Sequence, residues 1–285
     1  MAEVKIDKKG SEITLTITIP AQRVKSAFGE IRKEALKQIE APGFRKGKAP
    51  EKVAAPHLDE DSLAEELFRE LIPASYAKAV ADNELKPVVP PQIQVKEFGK
   101  DKELVYEAKT AELPEVKLGN YKKAVKGLKG KVIYDSKGDS VGDDKEVTAA
   151  QVLEKLRDVA EVDIPHVVVD YEVRRMMSSL IDQVQSLGMT VDQYLSSQGK
   201  NAESIQKEYH EIAEKNLKDD FILREIAAAE KIDVSESDIE DAITAAPDEK
   251  TKAAMRQEHG RAYIEDVLLK RKTIEYLLRI VEDKK

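Results

Sequence analysis

One octapeptide, Gly43-Phe44-Arg45-Lys46-Gly47-Lys48-Ala49-Pro50, concentrates an aromatic ring and three cations in a stretch that two glycines and a proline keep out of a helix interior. The Arg45 guanidinium suits phosphate oxygens in a bidentate fork, and Lys46 and Lys48 act on them as point charges. Phe44 suits insertion into a base stack or an apolar protein groove. This combination predicts recognition rather than covalent chemistry. As a nucleotide-binding P-loop the stretch fails, because the spacing is one residue short and Ala49 stands where Ser or Thr is needed. Asp135–Glu146 carries Asp and Glu at three positions of a calcium loop. However, Lys137 occupies a ligand position and Ser140 replaces the turn glycine, so it reads as a polar turn. His57, His166, His210 and His259 are scattered without an i, i+4 pair. With no Cys and no Gly-x-Ser-x-Gly, the residues point to no catalytic group, no metal and no cofactor.

The elements that hold the octapeptide are legible on either side. Glu12–Ile19 alternates Ile13, Leu15, Ile17 and Ile19 with threonines, which predicts a strand with one buried face. Pro20 suits a helix start, and Val24, Phe28, Ile31, Ala35 and Ile39 form one apolar stripe over Pro20–Ile39. After the loop and a short helical stretch near Glu51–Ala55, a second long helix is predicted from about Asp59. Ser62 and Glu65 have capping-box spacing there, Leu63, Leu67, Leu71, Tyr76 and Val80 line the buried side, and Pro73 should kink the helix or shift its start. Strands follow at Ile93–Val95 and Leu104–Ala108. The predicted unit is β-α-loop-α-β-β over residues 1–113. The fold class is α+β, predominantly α.

Residues 114–147 are rich in Lys and Gly and read as a linker with a short β-like run at Lys131–Tyr134. From 148 to 285 the pattern is helical, at Thr148–Val159, Pro165–Leu187, Val191–Ser197, Ala202–Lys231, Glu236–Thr244 and Asp248–Glu282, with Gly260 as a candidate break in the last. Val173, Met177, Leu180, Val184 and Leu187 form one narrow stripe, and Val267, Ile274, Leu277 and Val281 another. Slender hairpins and an ordinary antiparallel bundle fit these stripes equally. Met176, Met177 and Leu180 suit an adaptable apolar surface, but core packing is the favoured role.

Charge separates the two long helices. Pro20–Lys52 holds nine basic and four acidic residues, whereas Pro56–Glu84 holds two basic and eight acidic. A chain of net charge −8 thus carries a basic first helix and loop tip, an arrangement able to steer that tip toward RNA. The N-terminus lacks the apolar core of a secretory signal, and no stretch approaches the ~18 apolar residues of a membrane span. The expectation is a soluble, cytoplasmic protein with no membrane partner.

Gly-Phe-Arg-Lys-Gly-Lys-Ala-Pro resembles the signature loop of the trigger factor family of ribosome-associated chaperones. Glu112–Tyr121 resembles that family's exit from its N-terminal domain, Ala160–Met177 the start of its first C-terminal arm, and Ala227–Ile239 the link between arms. The resemblance implies a ribosome-binding domain followed by an elongated helical domain with two arms. It implies that Phe44, Arg45, Lys46 and Lys48 dock on a tunnel-exit protein and rRNA of the large subunit. Gly43 and Gly47 would permit the turn, and Pro50 would close the motif. Partners would be nascent or unfolded polypeptides, held without ATP, and a second copy of the chain when off the ribosome. The family commonly inserts a peptidyl-prolyl isomerase domain, but only Tyr121–Val147 is available here, which predicts no isomerase activity. A prolyl isomerase and a ribosome-free holdase are the rival readings.

Overall fold

The computed structural model describes residues 2–40, 42, 44–46, 48–99, 102–128 and 147–282. The chain divides into two compact units, one of Met1–Leu113 with Pro165–Tyr171, the other of Pro114–Ile164 with Glu172–Lys285.

The first unit is built on four antiparallel strands in the order β1-β2-β4-β3: β1 Glu3–Lys9, β2 Glu12–Ile19, β3 Gln92–Glu97 and β4 Leu104–Ala111. Alternation in β2 buries Ile13, Leu15, Ile17 and Ile19 and leaves the threonines between them half-exposed. Leu15 sits opposite Ala108 and Ile17 opposite Tyr106, so β4 adds Leu104, Tyr106 and Ala108 to the same face. Helices α1 (Ala21–Gln38) and α3 (Glu60–Asp82) cover that face with Val24, Ala27 and Ile31, and with Leu63, Leu67, Leu71, Ile72 and Ala79. Each Val, Leu or Ile side chain fully buried here contributes about 1.5–3 kcal/mol of transfer free energy.

Three details differ from expectation. A leading strand, β1, precedes the predicted β-α-loop-α-β-β unit. Its alternating Val4 and Ile6 are only partly buried, and its turn to β2 uses Gly10 at φ 61°. The cap of α3 is Asp59 rather than Ser62: the Asp61 amide donates to the Asp59 carboxylate at 3.2 Å and the Ser62 hydroxyl donates to it at 2.6 Å. Pro73 neither ends nor delays α3. Around it, the Ser75 hydroxyl donates to the Leu71 carbonyl at 2.7 Å and the Tyr106 hydroxyl lies 3.2 Å from the Ile72 carbonyl, so polar groups flank the turn the proline disrupts.

The second unit is helical. Val116–Lys117 (β5) pairs with Glu161–Val162 (β6), and α4 (Tyr121–Lys126), α5 (Ala149–Val159), α7 (Val191–Ser197), α8 (Ala202–Glu230), α9 (Glu236–Thr244), α10 (Glu249–Met255) and α11 (Glu258–Glu282) follow in order. α6 (His166–Ser186) contributes its first turns to the first unit and the remainder to the second. Capping boxes begin α5, α7, α8 and α9 at Thr148, Thr190, Asn201 and Ser235.

Among the described residues, three apolar clusters in this unit hold its helices. Tyr121, Val125, Val152, Leu156, Ile222, Ile226, Leu277 and Val281 form the central one. Leu180, Val184, Leu195 and Ile205 tie α6, α7 and α8 together, with Met177 and Tyr209 packed alongside. Ile239, Ile243 and Ile264 tie α9 to α11, with Met255 and Leu268 alongside. The α6–α7–α8 cluster draws on the end of α6 and the start of α8, and the α9–α11 cluster on the first half of α11.

Within the stretch read as a linker, residues 114–128 form β5 and α4, and Tyr121, Val125 and Val147 are buried. The β-like run at Lys131–Tyr134 and the calcium-like stretch Asp135–Glu146 lie outside the described residues. Two stripe members turn out exposed, Leu187 beyond the end of α6 and Val267 on α11. α6 ends in a left-handed turn at Gly188 (φ 70°), where the Met189 amide donates to the Val184 carbonyl at 3.2 Å, so Leu187 stands at the frayed end of the helix. Gly260 does not split the last helix. The break falls between α10 and α11, and Gly260 lies where an added Cβ would come 2.7 Å from the Met255 Cα. A glycine there lets α11 approach the end of α10.

Candidate functional site

α1 stops at Gln38 because Ile39 turns extended (φ −74°, ψ 138°) and the chain leaves the sheet. It returns at Pro50, whose carbonyl accepts from the Val53 amide at 2.8 Å and the Ala54 amide at 3.1 Å to start the single-turn helix α2, Glu51–Ala54. Ala54 is buried and Leu58 packs partly against the main core, so the returning limb is anchored. Arg32 on α1 pairs with Glu51 at 3.3 Å across the loop base. Both side chains are largely exposed, so this pair aligns the limbs more than it stabilises them.

Between these anchors, Phe44 is 44% exposed, a high value for an aromatic side chain. Arg45, Lys46, Lys48 and Pro50 are exposed as well. The Lys48 amide donates to the Arg45 carbonyl at 2.9 Å, which closes a tight turn among the cations. Among the described residues, Arg45, Lys46 and Lys48 make no ion pair. Gly43 and Gly47 lie outside the described residues. Among the described residues, the site therefore presents a ring and three cations without ion-pair partners on an anchored loop.

The second unit holds surfaces that the sequence stripes did not assign. Arg175, Met176, Ser179, Leu180, Gln183 and Tyr209 line a hollow of about 440 Å³ on α6 and α8. Met177, half-buried like Met176, packs instead against the small core of Leu180 and Val184. Ile181, Ile212, Tyr263 and Val267 are exposed on α6, α8 and α11. Ile181, Ile212 and Tyr263 stood off the helix stripes read from the sequence, whereas Val267 was a member of one. No helix among the described residues is long and apolar enough to cross a membrane.

Comparison with known proteins bears on both units. The family profile described as bacterial trigger factor protein matches residues 2–139, and the one described as the C-terminus of the same protein matches residues 140–279. They abut and leave no residues between them for a further domain. Curated relatives named trigger factor, from Staphylococcus aureus strains JH9 and Newman, are 38% identical over 115 residues, which is 40% of this chain and 27% of theirs. The chain thus matches about a quarter of the length of those relatives. A solved structure, described as addressing promiscuous substrate recognition in folding and assembly activities of the trigger factor chaperone, superposes with a TM-score of 0.63. The superposition is at 16% identity over 98% of this chain and 100% of that one, a likeness of fold. With two profiles accounting for nearly all of its length, the chain belongs to the trigger factor family.

Proposed function

We propose that this protein is an ATP-independent chaperone that docks on the large ribosomal subunit and shields nascent or unfolded polypeptides. The observation that carries the reading is the anchored loop whose Phe44 ring and Arg45, Lys46 and Lys48 charges all face solvent without partners among the described residues. A ring and a cation cluster fit a composite target, an apolar groove on a tunnel-exit protein beside rRNA phosphates. Pro50 fixes the returning limb. The exposed Ile181, Ile212, Tyr263, Val267 and the Met176 hollow supply dispersed apolar contacts for polypeptide, which suits weak and repeated capture. No step consumes a nucleotide or forms a bond. The working compartment is the cytoplasm, where ribosomes meet nascent chains, and self-association is the state expected off the ribosome.

Replacing Phe44, Arg45 and Lys46 together by Ala tests the docking. Co-sedimentation with ribosomes should be lost while the thermal transition stays in place, because none of the three is buried. A variant that pellets with ribosomes as well as the parent would refute the reading.

A further inference from the structure

A second cationic surface stands in the other unit. From Val116 to Tyr134 the sequence contains Lys117, Lys122, Lys123, Lys126, Lys129 and Lys131 and no acidic residue, in a chain of net charge −8. The described part of this run is largely folded. Tyr121 and Val125 are buried in the central core, so the amphipathic turn of α4 must put its lysines outward. Lys122 is spent on Glu230 at 2.6 Å. Lys123 and Lys126 are exposed, one helical turn apart on one face, and pair with no carboxylate among the described residues. Lys155 of α5 joins Lys123 and Asn120 around one open hollow, although its ammonium is 3.3 Å from Asp158.

We infer that Lys123 and Lys126 form a second RNA-backbone contact, engaged when the loop Gly43–Pro50 is docked. The inference rests on the ribosome-docking reading and adds a partner surface in a different unit. Charge complementarity carries it. Two adjacent cations on an acidic protein pair with no carboxylate, and no aromatic residue is exposed beside them in the same run to read a base, among the described residues. Phosphate is the chemistry they fit. Their energetic role is salt-sensitive and independent of RNA sequence.

The test titrates 70S ribosomes with the full chain at 50 and 200 mM monovalent salt. Three variants are compared with the parent: Lys123→Ala with Lys126→Ala, Lys123→Arg with Lys126→Arg, and the triple Ala variant of the loop. Removing two phosphate contacts should lower the salt slope by about 2, so the parent should lose about 16-fold more affinity than the double Ala variant across that range. The Arg pair should keep the parental slope. An unchanged slope in the double Ala variant, with the loop variant defective, overturns this inference and leaves the docking reading standing. A loop variant that binds normally overturns both. Loss of binding to phosphatidylserine vesicles in the double Ala variant, with its ribosome slope unchanged, overturns the RNA assignment in favour of a lipid surface.

Discussion

Glu230, at the end of α8, holds three elements together. Its carboxylate accepts from the Tyr121 hydroxyl of α4 at 2.6 Å and from the Tyr276 hydroxyl of α11 at 2.6 Å, and pairs with Lys122 at 2.6 Å. Lys122 first, then the two tyrosines, pull its pKa from 4.5 down to about 2. Burial pushes the Tyr121 hydroxyl well above its usual range, and the adjoining carboxylate pushes it further, so both tyrosines stay protonated donors. A depressed carboxyl pKa favours the folded state above the unfolded pKa, and the benefit drains away as pH falls through 4.5 toward 2. At 1.36 kcal/mol per pH unit the full shift would correspond to about 3 kcal/mol. The Glu230 side chain is 20% exposed and Lys122 48% exposed, so solvent screening reduces this to about 1–2 kcal/mol. Glu230→Gln keeps the shape and one acceptor while removing the charge. Urea unfolding at pH 7 should show it about 1–2 kcal/mol less stable than the parent, with the gap closing steadily between pH 5 and pH 2.5. A gap that stays constant over that range, or no gap at pH 7, would refute the assignment of the stabilisation to a charged hydrogen-bond acceptor.

Two backbone positions give further expectations. Lys231 ends α8 in the left-handed region (φ 55°), where the Ile232 amide donates to the Ala227 carbonyl at 2.9 Å, so Lys231→Gly should stabilise the fold by roughly 0.5–1 kcal/mol in a thermal melt, and a loss of stability would contradict the helix-end geometry. Gly260→Ala would press a methyl against the Ala254 carbonyl and the Met255 Cα, and should cost on the order of 1–3 kcal/mol; a melt unchanged within half a degree would show that α10 and α11 do not meet as described.

What the sequence disclosed and what it hid follow from the physics of each element. Strand β2 was legible because every second residue is β-branched or leucine and the other face is threonine, a pattern no helix produces. The helices of the second unit were legible to within a residue or two at most ends, because glycines and capping side chains bound them. β1 was hidden because an edge strand buries only one flank. Val4 and Ile6 therefore sit among charges whose alternation looks like any polar segment. Pro73 misled because helix propensity is local, whereas packing of Leu67, Leu71 and Ile72 on the sheet holds the helix through it. Val267 and Leu187 misled because periodicity reports a stripe but not where the partner helix ends. The candidate loop was legible for the opposite reason. Phe44 and its cations obey no core pattern, and residues that no packing requirement explains are those most open to a functional one.

The two units place different demands on stability. The first concentrates its apolar residues in one continuous core, which suits a platform whose loop must be presented in a fixed pose. The second, which holds most of the helix, divides it among the described residues between a central cluster and two small satellite ones. Each satellite cluster has three or four buried residues, so its local opening free energy must lie well below that of the central cluster. Hydrogen exchange should therefore run fastest in α7, α9 and α10, intermediate in the outer halves of α6, α8 and α11, and slowest around Leu156, Ile222 and Leu277. That gradient is what a surface able to remould itself around unrelated apolar segments requires, since a rigid core offers one shape and a set of weakly held helices offers many. Uniform protection across the second unit would mean that its helices open only together, and the adaptable-surface account of polypeptide capture would lose its physical basis.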